Sequence, residues 1–313
     1  MKKNTLTVTI GIPAYNEERN IESLLKILLS QKEKGFTLRN IIVVSDASTD
    51  RTAEIVKSIK NKRVVLVVNK NRLGQNVSQN IIFSMVKTDV VVLFEADTRP
   101  SNNSYLSRLL SPLRTSKDVG FAYGNIEPIG SKSLVGRVID TQFLIYHNVL
   151  LRQRGPSFFT SGRSGRAFMS IVYKRLRWPA DVPEDAYAHF WCKNNAVRIA
   201  FSSGAVTYFK TPQTKRDFFV AYHKINTART ALMKHFPAAL LRSHFKRDLV
   251  FSLTILMSFI LSSPLYFVMY GYLQILLLVG RKNFGIHYPK KWPSMTSTKT
   301  LSPEFSVNTG GTP

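Results

Sequence analysis

The chain has one cysteine, Cys192, in 313 residues. A single thiol excludes an intramolecular disulfide framework and fits a reducing compartment, with core packing as its plain role. Acidic residues are scarce as well: 19 Asp and Glu stand against 44 Lys and Arg, a net charge of +25. No G-x-G-x-x-G follows the first apolar run, and no G-x-x-x-x-G-K-[ST] occurs, so glycine cradles of the dinucleotide and P-loop kinds are excluded. Zinc-ligand spacings, RNA-recognition signatures and a heptad-bearing basic region are also missing. Charge alone then speaks for nucleic acid, and no such partner is expected. Met1 to Val8 carries two lysines but lacks the apolar core of a signal peptide.

The organising stretch is Val90-Val91-Val92-Leu93-Phe94-Glu95-Ala96-Asp97-Thr98-Arg99-Pro100. Its apolar run predicts a strand buried on both faces, hence central in a sheet, and Pro100 is expected to stop it. Glu95 and Asp97 then stand at the carboxyl edge, where open α/β sheets bind ligands. Upstream, Leu6–Pro13, Ile41–Val44 and Val64–Val68 read as strands. Between them Ile21–Leu28, Thr52–Ile59 and Val77–Val86 have helical spacing, with Asn16 or Asn20 and Ser48, Thr49 or Asp50 as capping candidates. Three and a half β-α units predict a mostly parallel sheet with right-handed crossovers. The turns at 13–17, 45–50 and 95–97 fall on one edge, as a nucleotide-binding α/β domain requires.

Beyond Pro100, residues 101–113 read as a helix, 119–126 as a strand and 134–152 as an amphipathic helix. Residues 153–167, rich in Gly, Ser and Arg, read as a loop or lid. Three of the seven acids after residue 130 lie within 181–185, where Pro183-Glu184-Asp185 leads into a helix. Residues 131–313 carry net +18 against +7 for residues 1–130, which suggests an anionic membrane surface.

Leu249 to Gly280 contains 32 residues without a charge. Ser262-Ser263-Pro264 divides it into halves of roughly 23 Å at ~1.5 Å per residue, each short of a full ~30 Å span. Arg242, Lys246 and Arg247 precede it, and Arg281, Lys282, Lys290 and Lys291 follow. Basic flanks on both sides predict a hydrophobic helical hairpin with both ends cytoplasmic; two short spans or one tilted span are the alternatives. The Ser/Thr/Pro/Gly-rich tail, 292–313, is expected to be disordered.

These pieces suggest a chemistry. Mg²⁺ or Mn²⁺ binds through one or two carboxylates plus substrate phosphates, which Glu95 and Asp97 match. Asp46 can accept from the N–H of a uracil or guanine base, and Arg72 can hold a diphosphate. A distant acid at 184–185 can deprotonate an acceptor hydroxyl.

At this point the sequence resembles the family 2 glycosyltransferases of GT-A fold. Pro13-Ala14-Tyr15-Asn16-Glu17, Ser45-Asp46-Ala47-Ser48-Thr49-Asp50, Glu95-Ala96-Asp97 and Glu184-Asp185 stand in the family's order, over roughly residues 6–215. The resemblance implies a Rossmann-like, mostly parallel α/β sheet flanked by helices. It places Pro13, Ala14, Tyr15, Glu17, Asp46, Arg72, Glu95, Ala96 and Asp97 at the nucleotide-sugar. Asp97, with Glu95, binds the metal, Asp185 is the catalytic base beside Glu184, and 160–168 lines the acceptor side. Residues 1–125 form the nucleotide-sugar half, 126–240 the acceptor and catalytic-base half, and 241–291 the membrane-associated segment. The implied activity is inverting transfer from a nucleotide-diphosphate sugar to a polyprenyl, glycolipid or cell-envelope glycan acceptor, with the catalytic domain facing the cytoplasm.

Four departures stand out. Glu95 replaces the first acid of Asp-x-Asp, Ser45 replaces an acid, and Gln75 follows Gly74 where Lys or Arg is common. The Gln-x-x-Arg-Trp of processive synthases is missing at 222–227, which favours single transfers. The first three keep a second reading open, a catalytically impaired, membrane-bound sugar-nucleotide-binding or scaffolding protein.

Overall fold

The structure is a computed structural model and describes residues 5–154, 157–163, 165–245, 249–280, 291, 293, 295–299 and 301. Its first half alternates strand and helix: β1 (Leu6–Ala14), α1 (Ile21–Leu29), β2 (Phe36–Ser45), α2 (Thr52–Ser58), β3 (Val64–Val68), α3 (Gln75–Met85) and β4 (Val90–Leu93). There follow β5 (Thr98–Pro100), α4 (Tyr105–Leu109), α5 (Ser111–Thr115), β6 (Val119–Pro128), α6 (Leu134–Arg154), α7 (Phe158–Ser161), β7 (Arg166–Met169) and α8 (Ser170–Tyr173). The remainder is α9 (Glu184–Asn194), β8 (Arg198–Phe209), α10 (Lys215–Leu232), α11 (Ala238–Phe245), α12 (Leu249–Ser262) and α13 (Pro264–Gly280).

The strands form one sheet in the order β3-β2-β1-β4-β7-β6-β8-β5. β3, β2, β1 and β4 are parallel, as the β-α alternation predicts. β7 runs antiparallel between β4 and β6, and β5 runs antiparallel to β8 at the sheet's edge. β4 is central and wholly buried, each of its side chains 0% exposed. Val90 and Val92 pack with α1, α4 and α5 residues such as Leu24, Leu28, Leu106 and Leu109. Val91 and Leu93 face Ile82, Phe83, Leu176 and Trp178 on the other side. Two apolar layers on one strand explain why it lacks polar alternation.

α3 lies so close to β1 that a Cβ on Gly11 would come within 2.4 Å of Ile82 Cγ2. This contact fixes the crossover whose N-terminal end opens onto the site. The register pairs Ala14 with Ser45, the Asp46 N–H reaches the Ala14 carbonyl at 2.8 Å, and the Phe94 N–H reaches the Gly11 carbonyl at 3.0 Å. The ends of β1, β2 and β4 therefore share one edge.

Three local expectations are corrected. β4 stops at Leu93 because the chain turns there: both the N–H and the hydroxyl of Thr98 donate to the Glu95 carbonyl. Pro100 instead closes β5, where an edge strand tolerates the missing N–H. Residues 101–113 form two short helices with a break at Leu110. The Gly/Ser/Arg-rich segment is not all loop, since it contains α7 and Arg166 begins β7; Ser164 lies outside the described residues.

The apolar segment is helical on both sides of Ser263-Pro264, but no helix among the described residues is long and apolar enough to cross a membrane. The expected membrane hairpin is therefore unsupported. Both helices lie on α6: Phe251 packs with Val149 and Leu150, and Leu273 and Leu277 pack with Val138 and Ile139. The flanking Lys246, Arg247, Arg281, Lys282 and Lys290 lie outside the described residues. Of the tail expected to be disordered, Thr296–Thr298 form a 3-10 turn, while Trp292 and residues 302–313 lie outside the described residues.

Candidate active site

Two of the three turns at the sheet edge, those after β1 and β2, are cross-braced by their own polar residues. Asn16 stands at φ 55° and exchanges hydrogen bonds with Thr49: its Oδ1 accepts from the Thr49 N–H at 2.8 Å and its Nδ2 donates to Thr49 Oγ1 at 3.1 Å. The Asn16 N–H reaches Ser48 Oγ, and the Glu17 N–H reaches Thr52 Oγ1 at 2.7 Å. Thus Ser48 and Thr49 tie β2's turn to β1's, and neither caps α2, whose N-cap is Arg51. Asn16, Ala47 and Arg163 are non-glycine residues with positive φ, and all three border this region. Strain of this kind, of order 1–3 kcal/mol each, persists where surrounding structure enforces it.

Asp46 is buried and braces a different loop. Its Oδ1 accepts from Asn69 Nδ2 and the Leu73 N–H, each at 2.8 Å, and its Oδ2 accepts from the Gly74 N–H at 2.7 Å. Gly74, at φ 98°, lets the chain turn there into α3. A carboxylate has about four acceptor positions, so one remains for a ligand's N–H. Asp46→Ala is expected to lower stability by about 3 kcal/mol through the two stranded backbone donors; urea unfolding reads this directly, and an unchanged midpoint contradicts it.

A cleft opens over these turns. It is lined by Pro13, Ala14, Tyr15, Glu17, Asp46, Arg72, Glu95, Ala96, Asp97 and Glu184, so ten of the eleven residues singled out from the sequence meet in one place. Arg72 lies 4.0 Å from the Tyr15 ring centroid. Asp97 meets Arg163, from the former lid segment, at 3.4 Å. Glu184 enters from the start of α9, where Gln75 Nε2 reaches it at 3.3 Å and Lys224 Nζ at 3.7 Å. The departure at Gln75 is thus a direct link between the donor-side loop and the downstream acid.

The eleventh residue, Asp185, is not part of the lining. Its carboxylate lies against Gly162, where a Cβ would come within 2.6 Å of Asp185 Oδ2. The adjacent acids are driven apart electrostatically. Burial raises the pKa of Asp185, and the Glu184 carboxylate raises it further. For Glu184 burial works upward too, but Lys224 and then Arg166 outweigh it and the pKa is lowered. Two carboxylates with opposed shifts are suited to different tasks.

Glu17 and Glu95 are both pushed from near 4.5 up to about 7. Burial is the main cause for each; the Asp97 charge adds to it, and Lys299 and Arg163 respectively oppose it. A carboxyl group whose folded pKa is raised stabilises fully below its unfolded pKa, and that contribution is lost as pH rises through the folded value. The melting temperature of the metal-free, donor-free protein should therefore fall between pH 4.5 and pH 7. Glu17→Gln should flatten the slope in a thermal-shift series, and a rise across this window contradicts the assignment.

Among the described residues, no group of three or more His, Cys, Asp or Glu is arranged to hold a metal ion. Mg²⁺ and Mn²⁺ sites that include substrate phosphates need less: one or two carboxylates suffice. Glu95 and Asp97 supply hard oxygen ligands side by side in the cleft lining. The donor set fits such an ion.

Apart from Arg72, sequence reasoning missed the cations of the site. Arg163, Arg166, Lys224 and Lys299 belong to no motif. The Arg-bearing lid segment was a partial signal for the first two, while Lys299 lies in a stretch whose composition resembles disorder. Arg166 is 1% exposed at the start of β7, and its Nε and Nη1 have no hydrogen-bond partner among the described residues.

A parallel half, β3-β2-β1-β4, continued by strands of mixed direction, with acids just after the central β4, is the pattern of the GT-A class of fold. Residues 9–177 match the glycosyl transferase family 2 profile, and the chain belongs to that family. It is 27% identical over 217 residues to the probable glycosyltransferase YdaM of Bacillus subtilis (strain 168), covering 66% of this chain and 51% of that one. It is 32% identical over 172 residues to an undecaprenyl-phosphate 4-deoxy-4-formamido-L-arabinose transferase of Edwardsiella ictaluri (strain 93-146), covering 54% and 51%. The chain spans about half the length of these curated relatives. Among solved structures, the mannosyltransferase PcManGT of Pyrobaculum calidifontis, in complex with GDP-Man and Mn²⁺, shares the fold. Its TM-score is 0.60 at 16% identity, with 89% of this chain and 87% of that one covered.

Proposed function

We propose that the chain is an inverting, non-processive glycosyltransferase that moves a sugar from a nucleoside-diphosphate donor to a lipid-linked acceptor at an anionic membrane surface. One observation supports this above the others: Glu95 and Asp97, just after β4, and Glu184, at the start of α9, line a single cleft, with Asp185 next to Glu184 and against Gly162. Tyr15, Asp46 and Arg72 bind and orient the nucleotide, and the Asp46 brace presets the loop that receives it. Glu95 and Asp97 would hold a divalent cation, whose charge would offset that developing on the leaving diphosphate. Asp185, against Gly162, takes the proton from the acceptor hydroxyl as that oxygen attacks the anomeric carbon from the face opposite the diphosphate, which departs. Glu184 stays ionised between Gln75 and Lys224 and fixes the geometry beside it.

The membrane part of the proposal is supported by α12 and α13. They turn large apolar side chains outward, with Leu249, Leu261 and Val279 at 73%, 76% and 74% exposed. An apolar face of this kind, on a chain of net +25, suits shallow insertion among anionic headgroups. The basic flanks favour the cytoplasmic face. A relative named for an undecaprenyl-phosphate substrate agrees with a lipid-linked acceptor. The test is release of nucleoside diphosphate from UDP- and GDP-sugars with Mn²⁺ and polyprenyl phosphate in anionic vesicles. Acceptor-dependent turnover is expected; binding without turnover favours the impaired, scaffolding alternative.

A further inference from the structure

Residues that follow the apolar helices return to the cleft. Pro293, Met295 and Lys299 form part of its lining, together with Lys291. The segment is anchored on two sides. At one end, the Ser297 N–H and hydroxyl donate to Asp217 Oδ2 at 2.8 and 2.6 Å, and Ser297 Oγ accepts from the Gln213 N–H. At the other, Asn20 Nδ2 donates to the Lys299 carbonyl at 2.7 Å and Asn20 Oδ1 accepts from the Leu301 N–H at 3.2 Å. Asn20 is fully buried and uses its side chain for this contact and for Glu17, with no capping bond to α1. Between the anchors, Thr298 is 1% exposed. Lys299 Nζ reaches Glu17 Oε1 at 2.8 Å, the Asn16 carbonyl at 2.9 Å and the Tyr15 carbonyl, 5.7 Å from the Tyr15 ring.

We propose that residues 295–299 are a wall of the donor site and that Lys299 is its positioning residue, holding the Glu17 turn in the shape that receives a nucleoside diphosphate. This rests on the donor reading of the cleft. The charge argues for a wall and against a plug. A segment that competed with an anionic donor would place an acid where the donor's phosphates go, whereas this one brings Lys291 and Lys299 to a cleft holding Glu17, Glu95, Asp97 and Glu184. A cation–diphosphate pair is close to neutral in charge, so its arrival leaves Glu17 still requiring the Lys299 ammonium. The anchors are likewise independent of the cleft's ligand, since Asp217 and Asn20 hold the segment through hydroxyl, amide and backbone groups.

The full chain, Lys299→Met, Lys299→Arg and a chain ending at Lys291 are compared by calorimetric titration of UDP and GDP with Mn²⁺. Lys299→Met, which keeps the aliphatic stem, should weaken nucleotide binding about tenfold, the scale of one lost charge-assisted hydrogen bond. In turnover it should raise KM with kcat little changed, and Lys299→Arg should restore most of the affinity. The shortened chain should lose at least as much affinity as Lys299→Met, which keeps the test open if the point variant folds poorly. Unchanged affinity in Lys299→Met, or tighter binding by the shortened chain, overturns the inference while leaving the donor reading intact. Failure of the wild-type chain to bind either nucleotide overturns both.

Discussion

Asp97→Asn is expected to reduce kcat/KM by at least about 10³-fold, because it removes one of two carboxylates available for the divalent cation, a loss of several kcal/mol at the leaving group. Asparagine keeps the size of the side chain and a carbonyl oxygen for Arg163, so the fold should survive. Two further readouts identify the cause. Mn²⁺ affinity in the presence of UDP should fall in step with activity. Glu95→Asp, which restores the more usual acid at that position, should retain metal binding. If Asp97→Asn keeps full activity, the metal site lies elsewhere.

Asp185→Asn is expected to lower kcat by about 10²- to 10⁴-fold, the range for loss of a positioned general base, with nucleotide affinity unchanged. The reason is geometric. Asp185 lies outside the cleft lining and against Gly162, so on the proposed reading it serves the acceptor while the donor occupies the cleft. Glu184→Gln should behave differently. It removes the partner of Lys224 and Gln75 within the cleft, so KM for the donor should rise along with any loss of kcat. Equal kinetic effects from the two changes would assign them one shared task and contradict the division drawn here.

Much of the nucleotide-side half was legible in the sequence because its signals are local. β1, β2, β3 and β4 are short apolar runs, each followed by a polar turn, and parallel pairing follows from the intervening helices. The position of β4 followed from its unbroken apolar character, since a strand buried on both faces has no polar side to show. The other half depends on pairing between distant segments. β7 begins inside a Gly/Ser/Arg-rich stretch and becomes a strand only because β4 and β6 flank it. β5 is three residues long and exists by pairing with β8, a strand whose pattern Ile199, Phe201, Ala205, Thr207 and Phe209 is broken by Ser202-Ser203-Gly204.

The site divides the same way. Glu95, Asp97, Asp46 and Glu184 stand beside strand ends or helix starts and announce themselves by charge after an apolar run. Their cationic partners do not. Lys224 reaches Glu184 from the middle of α10, and Lys299 reaches Glu17 across 282 positions of sequence, contacts that no local pattern encodes. The apolar segment was visible as 32 uncharged residues, yet its role depends on α6, which covers one face and leaves the other outward.

The central claim is that the cleft over β1, β2 and β4 binds a nucleoside diphosphate through a cation held by Glu95 and Asp97. Calorimetric titration of UDP and GDP into the wild-type chain, with Mn²⁺ and then with EDTA, tests it most directly. Saturable binding of at least one nucleotide, lost with EDTA and lost in Asp97→Asn, is the predicted result. Binding that persists unchanged under both conditions would contradict it.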